Sequence, residues 1–308
     1  MICPRAYLLS LSALVLLAAC GGSIRDSHYN RGVRHQDGGR LAAATREYRE
    51  AIEEDDENTE AYYNLGTVYH EIGKLDKAKA AYEKALTIRT HPRTLINLAD
   101  IYEKKGDLKR ALAFLDQALE EDDDSAYTYC YRGFYHERRG DLTKAMEDYG
   151  AGIDVEPEDP FAHLRLGKLR WKMGKKDLGL QSLEEAVGLD STYAPAWKAL
   201  GDLSREMGQT SRSIRAYERL STLEPDNMES RLLLGKLYLE RGDAHRALTS
   251  LWRARLLSPK DERLSDLILR AYGDLLAEEI EKQDGNLDRI DALQKRLKEI
   301  RERAASPE

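Results

Sequence analysis

Two His-Glu dipeptides, His70-Glu71 and His136-Glu137, come closest in this 308-residue chain to the residues of a catalytic metal site. A zinc-protease helix needs a second histidine four residues after the first, so that both imidazoles share one face. Lys74 and Gly140 stand at those places, and no metal pair forms. The acidic runs at 53–57 and 120–124 lack the glycine and the terminal glutamate spacing of a calcium loop. There is no Gly-rich phosphate loop closing on Gly-Lys-Ser/Thr, no Gly-x-Ser-x-Gly elbow and no Cys-x-x-Cys pair. The sequence therefore predicts no enzyme, no metal, no cofactor and no small-molecule substrate.

What remains chemically distinctive is one cysteine. Arg5 is the only charge ahead of Cys20, and Ala6 to Ala19 is almost wholly apolar, ending in the small residues Ala18 and Ala19. Such a run reads as a secretory leader, and it falls short of the roughly 20 apolar residues a spanning helix needs. Leu17-Ala18-Ala19-Cys20 resembles the lipobox of bacterial lipoproteins, whose cysteine becomes the acylated first residue; an ordinary cleaved leader followed by a chance cysteine is the alternative. The resemblance implies a signal peptide over 1–19, a lipidated tether over 20–24 and attachment to a membrane through acyl chains on Cys20. With Gly21 rather than Asp after the cysteine, it implies a cell-envelope protein at the outer membrane, facing the periplasm, in a host with two membranes. Cys3 leaves with the leader and Cys20 is acylated, so Cys130 stands alone, as a packed small residue or as a reactive thiol.

Charge excludes another class of partner. Lys and Arg number 48 against 55 Asp and Glu, for a net charge of -7, which argues against general nucleic-acid binding.

Elements that could position a binding surface emerge from the small residues. Gly32, Gly66, Ala99, Gly133, Gly167, Gly201 and Gly235 recur with a period of about 34 residues. A second series, Gly39, Gly73, Gly106, Gly140, Gly174, Gly208 and Gly242, trails the first at a constant offset of two helical turns and fits the left-handed stop after a short helix. Ala44, Ala78, Ala111, Ala145 and Ala247 open the contact face of a second helix, and Tyr48, Tyr82, Tyr149 and Tyr217 lie one turn beyond the corresponding places. Pro157, Pro225 and Pro259 close repeats four, six and seven.

This pattern resembles the tetratricopeptide repeat family, most closely in repeat two, where Tyr62, Leu65, Gly66, Tyr69, Ala78, Tyr82 and Ala85 occupy signature places. The resemblance implies an all-α, right-handed α-solenoid of about seven helix-turn-helix repeats over 25–260. Beyond it, Leu264, Leu267, Ile268, Ala271, Tyr272, Leu275 and Ile280 predict a capping helix over 261–283, with the second half of an eighth repeat absent. After a turn at Asp284-Gly285-Asn286, Leu287, Ile290, Leu293, Leu297 and Ile300 predict a further amphipathic helix over 286–303, which either binds a partner or folds back.

In that family the first helices of successive repeats line a concave groove. Asn30, Asn64 and Asn97 take the sixth place of repeats one to three and resemble the asparagine ladder of peptide-gripping members; the same residue also serves local backbone or water in ordinary repeats. Repeats four and five add Tyr127, Tyr131, Phe134, Arg165, Lys168 and Trp171 on the same face, an aromatic and arginine mixture typical of interface centres. Tyr127 and Phe161 also suit packing between repeats, and Trp197 is expected in the core. A carboxylate clamp does not form: Arg93 and Asn64 fit its pattern, but Tyr29 and Val33 stand where it needs lysine and asparagine. The expected function is a membrane-anchored scaffold that binds an extended segment of an envelope protein. The overall plan is also similar to pilotin-type lipoproteins that help type IV pilus secretins assemble.

Overall fold

The computed structural model describes residues 27–282 and 286–305, and the leader, Cys20 and the residues up to 26 lie outside them. Among the described residues every regular element is an α-helix. They fall into two compact units, which divide between Thr90 and His91.

The first unit holds α1 (His28–Asp37), α2 (Leu41–Glu54), α3 (Thr59–Glu71) and α4 (Leu75–Ile88). The second holds α5 (Pro92–Lys104), α6 (Leu108–Glu121), α7 (Ala126–Arg139), α8 (Leu142–Val155), α9 (Pro160–Lys172), α10 (Lys176–Leu189), α11 (Ala194–Glu206) and α12 (Thr210–Leu223). It continues through α13 (Met228–Glu240), α14 (Ala244–Leu257), α15 (Arg263–Glu281) and α16 (Leu287–Ala305). Odd and even helices pair as hairpins, and each hairpin packs on the next within its unit. This is the all-α repeat solenoid that the family resemblance implies.

Local chemistry explains the boundaries. The side chains of Ser27, Asn58, Ser125, Asp159 and Asn227 each accept a backbone N–H from the first turn of an odd helix, and Pro92 and Pro160 start α5 and α9, where a missing N–H costs nothing. All seven glycines of the second series have positive φ, from 68° at Gly39 to 91° at Gly140. At that angle an L side chain crowds the following carbonyl, so glycine ends each first helix without strain and turns the chain into its partner.

The first glycine series has a different cause. A Cβ on Gly66 would lie 2.6 Å from two ring carbons of Tyr82, and one on Gly32 would meet Tyr48 in the same way. Gly133 faces Tyr149 and Gly201 faces Tyr217 likewise. The tyrosine ring thus lies directly on the missing side chain, and all four of these rings are fully buried. Gly167 and Gly235 seat Leu183 and Leu251 at the equivalent places.

At the C-terminal end α15 and α16 pack on each other as a final hairpin, with Leu297 buried and Leu293 and Ile300 against the terminal core. The buried stripe of α15 runs Leu264, Ile268, Ala271, Leu275 and then Glu279, whereas Ile280 is 58% exposed and Leu287 is 75% exposed. Glu279 holds the hairpin: its carboxylate meets Lys282 at 2.9 Å and Arg289 at 3.3 Å and accepts the Asn286 N–H. Asp284 and Gly285 of the predicted turn lie outside the described residues.

No helix among the described residues is long and apolar enough to cross a membrane.

Candidate protein-interaction groove

In the second unit α7 touches α9 and α9 touches α11, so the first helices of repeats four to six form one continuous face. Helical spacing places Tyr127, Tyr131 and Phe134 on it from α7, and Phe161, Arg165, Lys168 and Trp171 from α9.

Tyr127 and Tyr131 lie side by side, ring centroids 4.3 Å apart and planes tilted by 37°, and Tyr131 meets the edge of Tyr135 at 6.3 Å. Tyr127 is 41% exposed and Tyr131 half-buried. Tyr127 therefore does not pack away between repeats, one of the two readings the sequence left open. Phe161 does: it lies against the buried cluster around Cys130 and Tyr149. Cys130 itself is 1% exposed, a packed small residue.

Phe134 is half-buried beneath two cations. The Arg165 guanidinium stands 4.5 Å from its ring centre and that of Arg138 5.9 Å, distances at which the ring's negative face attracts charge. Arg138 also pairs with Glu103 of α5. Arg165 donates to the Tyr149 hydroxyl at 3.2 Å and meets Glu137 at 3.4 Å. Glu137 gathers three partners, since Lys172 approaches at 3.5 Å and the Tyr149 hydroxyl donates to it at 3.1 Å. Burial pushes the Tyr149 phenol well above its ordinary range, keeping it neutral and able to donate, with Arg165 opposing the shift.

Trp171 is likewise committed. Its indole N–H donates to Glu206 of α11 at 2.7 Å, and Lys176 meets the other oxygen of that carboxylate at 2.6 Å. The hydrogen bond from Lys176 first, and that from Trp171 after it, hold the Glu206 carboxyl below its usual range. Lys168 is exposed on α9. Desolvation by the surrounding groove, with Arg165 and Lys198 adding like charge, lowers its pKa below the usual lysine value.

Of the three asparagines, Asn30 and Asn64 belong to the first unit and Asn97 to the second. Asn30 is exposed, Asn97 half-buried, and the Asn64 amide donates to the Tyr29 hydroxyl at 3.2 Å, a contact between successive first helices. Tyr29 thus helps to fix α1 on α3 in the place where a clamp would need lysine. Trp197, expected in the core, is half-buried: it packs against two buried clusters, and its N–H donates to the Ser191 carbonyl in an exposed contact.

Glu137, Glu206 and Tyr149 were not read from the sequence as part of this face. A signal for Glu137 existed, because it stands at the twelfth place of repeat four, equivalent to Trp171 in repeat five. Its carboxylate orients Arg165 over Phe134. Among the described residues no cluster of three or more metal-ligating side chains is present.

Comparison with known proteins agrees with this geometry. Sequence models of the tetratricopeptide repeat match residues 32–73, 59–89, 92–125, 162–193 and 198–261, together more than half of the chain. Anaphase-promoting complex subunit 3 of Schizosaccharomyces pombe is 35% identical over 80 residues, 26% of this chain and 12% of that protein. BBSome complex member BBS4 of Bos taurus is 34% identical over 82 residues, 27% of this chain and 16% of that one. The chain spans only a small part of the length of these curated relatives. Among solved structures, a tetratricopeptide repeat protein from Parabacteroides merdae superposes with a TM-score of 0.58 at 21% identity, covering 80% of this chain and 98% of that one. PilF of Pseudomonas aeruginosa superposes at 0.58 and 20% identity, covering 68% and 96%. At these identities the structures show a shared fold and nothing more. With the glycine-seated tyrosines, the left-handed stops and the matched segments in agreement, the chain belongs to the tetratricopeptide repeat family.

Proposed function

We propose that this chain is a membrane-anchored adaptor of a bacterial cell envelope, held by acyl chains on Cys20 and binding an extended segment of an envelope protein along the α7–α9 face. Membership of the family makes it a protein-interaction scaffold; anchoring, location and partner are the proposed part. The carrying observation is the Tyr127/Tyr131 pair, which presents aromatic surface beside Phe134 and Arg165, a side chain already fixed by Glu137 and Tyr149. Rigid aromatic anchors flanked by oriented cations lose little entropy on binding. The Leu17-Ala18-Ala19-Cys20 sequence supports the anchor.

Two variants test the halves separately. Cys20→Ser is expected to move the protein from the membrane fraction to the soluble fraction. Tyr127→Ala/Tyr131→Ala, with unchanged helicity, is expected to lose a discrete and saturable crosslinked partner from native envelopes. Unchanged fractionation overturns the anchor, and unchanged capture overturns the groove. A secretin as the captured partner selects the pilotin-like reading.

A further inference from the structure

Repeats five, six and seven share a contact that shows what is unusual in the last of them. His163, Trp197 and Arg231 occupy the same place in these successive repeats, and each approaches a carbonyl oxygen just ahead of its own helix: Pro157 at 3.0 Å, Ser191 at 3.0 Å and Pro225 at 2.9 Å. In repeat six a second donor, Arg219 of α12, shares the Ser191 oxygen at 3.2 Å. Its equivalent in repeat seven is Arg253 of α14. There the Pro225 oxygen accepts twice from Arg231, from Nε at 3.0 Å and Nη2 at 2.9 Å, which fills both lone pairs. Among the described residues Arg253 has neither hydrogen-bond acceptor nor ion-pair partner.

A cleft of about 290 Å³ opens between α12, α13 and α14, with Arg231, Arg246, Arg253 and Ser250 in its lining. Glu218 is the one carboxylate among the lining residues, and the Tyr238 hydroxyl donates to it. Arg246 is drawn toward Asp243 at 3.5 Å. Arg231 and Arg253 line the same cleft, and among the described residues neither makes an ion pair with a carboxylate.

We propose that Arg231 and Arg253 form a binding site for a phosphate group, presented as inorganic phosphate or on a lipid headgroup. Burial first, and then the charge of Arg253, hold the Arg231 guanidinium below the usual arginine range, and Asp226 opposes this only in part. An anion between the two groups relieves that repulsion. Planar guanidinium forks match a tetrahedral oxyanion, and the charge of about -1.5 to -2 on a phosphomonoester neutralises both, where a carboxylate neutralises one. The site uses α12–α14, none of which contributes to the α7–α9 groove, and it stands without the adaptor reading.

The test titrates the Cys20→Ser chain, which can carry no acyl group at that place, with inorganic phosphate in one arm. In the other, the chain is sedimented with vesicles of phosphatidic acid in phosphatidylcholine, against phosphatidylcholine alone. Saturable binding in either arm is expected, and the arm that shows it identifies the source. Arg253→Ala is expected to weaken binding about tenfold or more, the loss typical of one charge-assisted hydrogen bond. Arg231→Trp places there the residue of repeat six and, with unchanged helicity, is expected to abolish binding. Arg270→Ala, on the exposed side of α15, is expected to leave it unchanged. Absence of binding in both arms overturns the proposal, as does equal binding by Arg253→Ala and Arg231→Trp.

Discussion

Alanine at Gly133 and alanine at Gly150 are predicted to change stability in opposite directions. Both glycines lie inside helices of repeat four, Gly133 in α7 and Gly150 in α8, so both replacements gain about 1 kcal/mol of helix propensity. Their surroundings differ. A Cβ on Gly150 meets nothing within 4 Å, whereas one on Gly133 would lie 2.9 Å from Cε1 and 3.0 Å from Cδ1 of Tyr149, and 3.2 Å from the Ala145 carbonyl oxygen. Tyr149 cannot retreat, because its ring is fully buried and its hydroxyl is held by Glu137 and Arg165. Overpacking of this kind costs about 1–3 kcal/mol. Gly150→Ala should therefore stabilise by up to about 1 kcal/mol, and Gly133→Ala should fall below it by about 1–3 kcal/mol. Urea denaturation followed by tryptophan fluorescence suits the comparison, since all three tryptophans lie in the second unit with both glycines. The m-values must be equal for the midpoints to report stability. A Gly133→Ala midpoint equal to or above that of Gly150→Ala refutes the seating of the tyrosine on the glycine.

Gly174, at φ 78° with open space around it, should lose about 1 kcal/mol when changed to alanine and less when changed to asparagine, by the same urea measurement. His136, buried and facing Asp141 at 3.7 Å and Asp148 at 3.9 Å, has its pKa lowered from 6.5, chiefly by burial. Below pH 6.5 the unfolded chain takes up a proton that the folded chain resists, so stability falls on acidification from that point. His136→Gln should flatten the part of this fall that begins below pH 6.5, above the range in which Asp107 and Asp261, lowered from 3.8, lose their contributions. Glu279→Gln should speed hydrogen exchange across α16 and leave α9 unaffected, because the carboxylate ties the α15 end to Lys282 and Arg289.

Local rules made the repeat legible, and contacts between repeats carried what was missed. A left-handed stop depends on one residue's φ, so each glycine of the second series could be placed from the sequence alone. Gly133 and Tyr149 belong to one hairpin, and their separation along the chain recurs for every such pair. Trp171 and Glu206 sit on different repeats, and their meeting depends on how α9 is turned against α11. Asn64 on Tyr29 is another contact of that kind. At the C-terminus residue type misled: the spacing of Leu264, Ile268, Ala271 and Leu275 continues to Glu279, but Ile280 looked the better core residue. Buried glutamate is costly unless paired, and the two cations that make it tolerable come from the turn and from the next helix.

The same distinction locates function in this chain. A stack whose repeats touch only their neighbours tolerates a departure from consensus in one repeat without loss of the others. Departures that keep a frame contact are then free to acquire chemistry. Arg231 keeps the carbonyl bond that Trp197 makes, but as a cation with space around it. Repeat four keeps Gly133 and Tyr149 as its frame while its outward places become Tyr127, Tyr131 and Phe134. The two candidate sites thus arise where the frame is intact and the remaining side chains are unusual, and a repeat that had lost its frame could not hold either one in position.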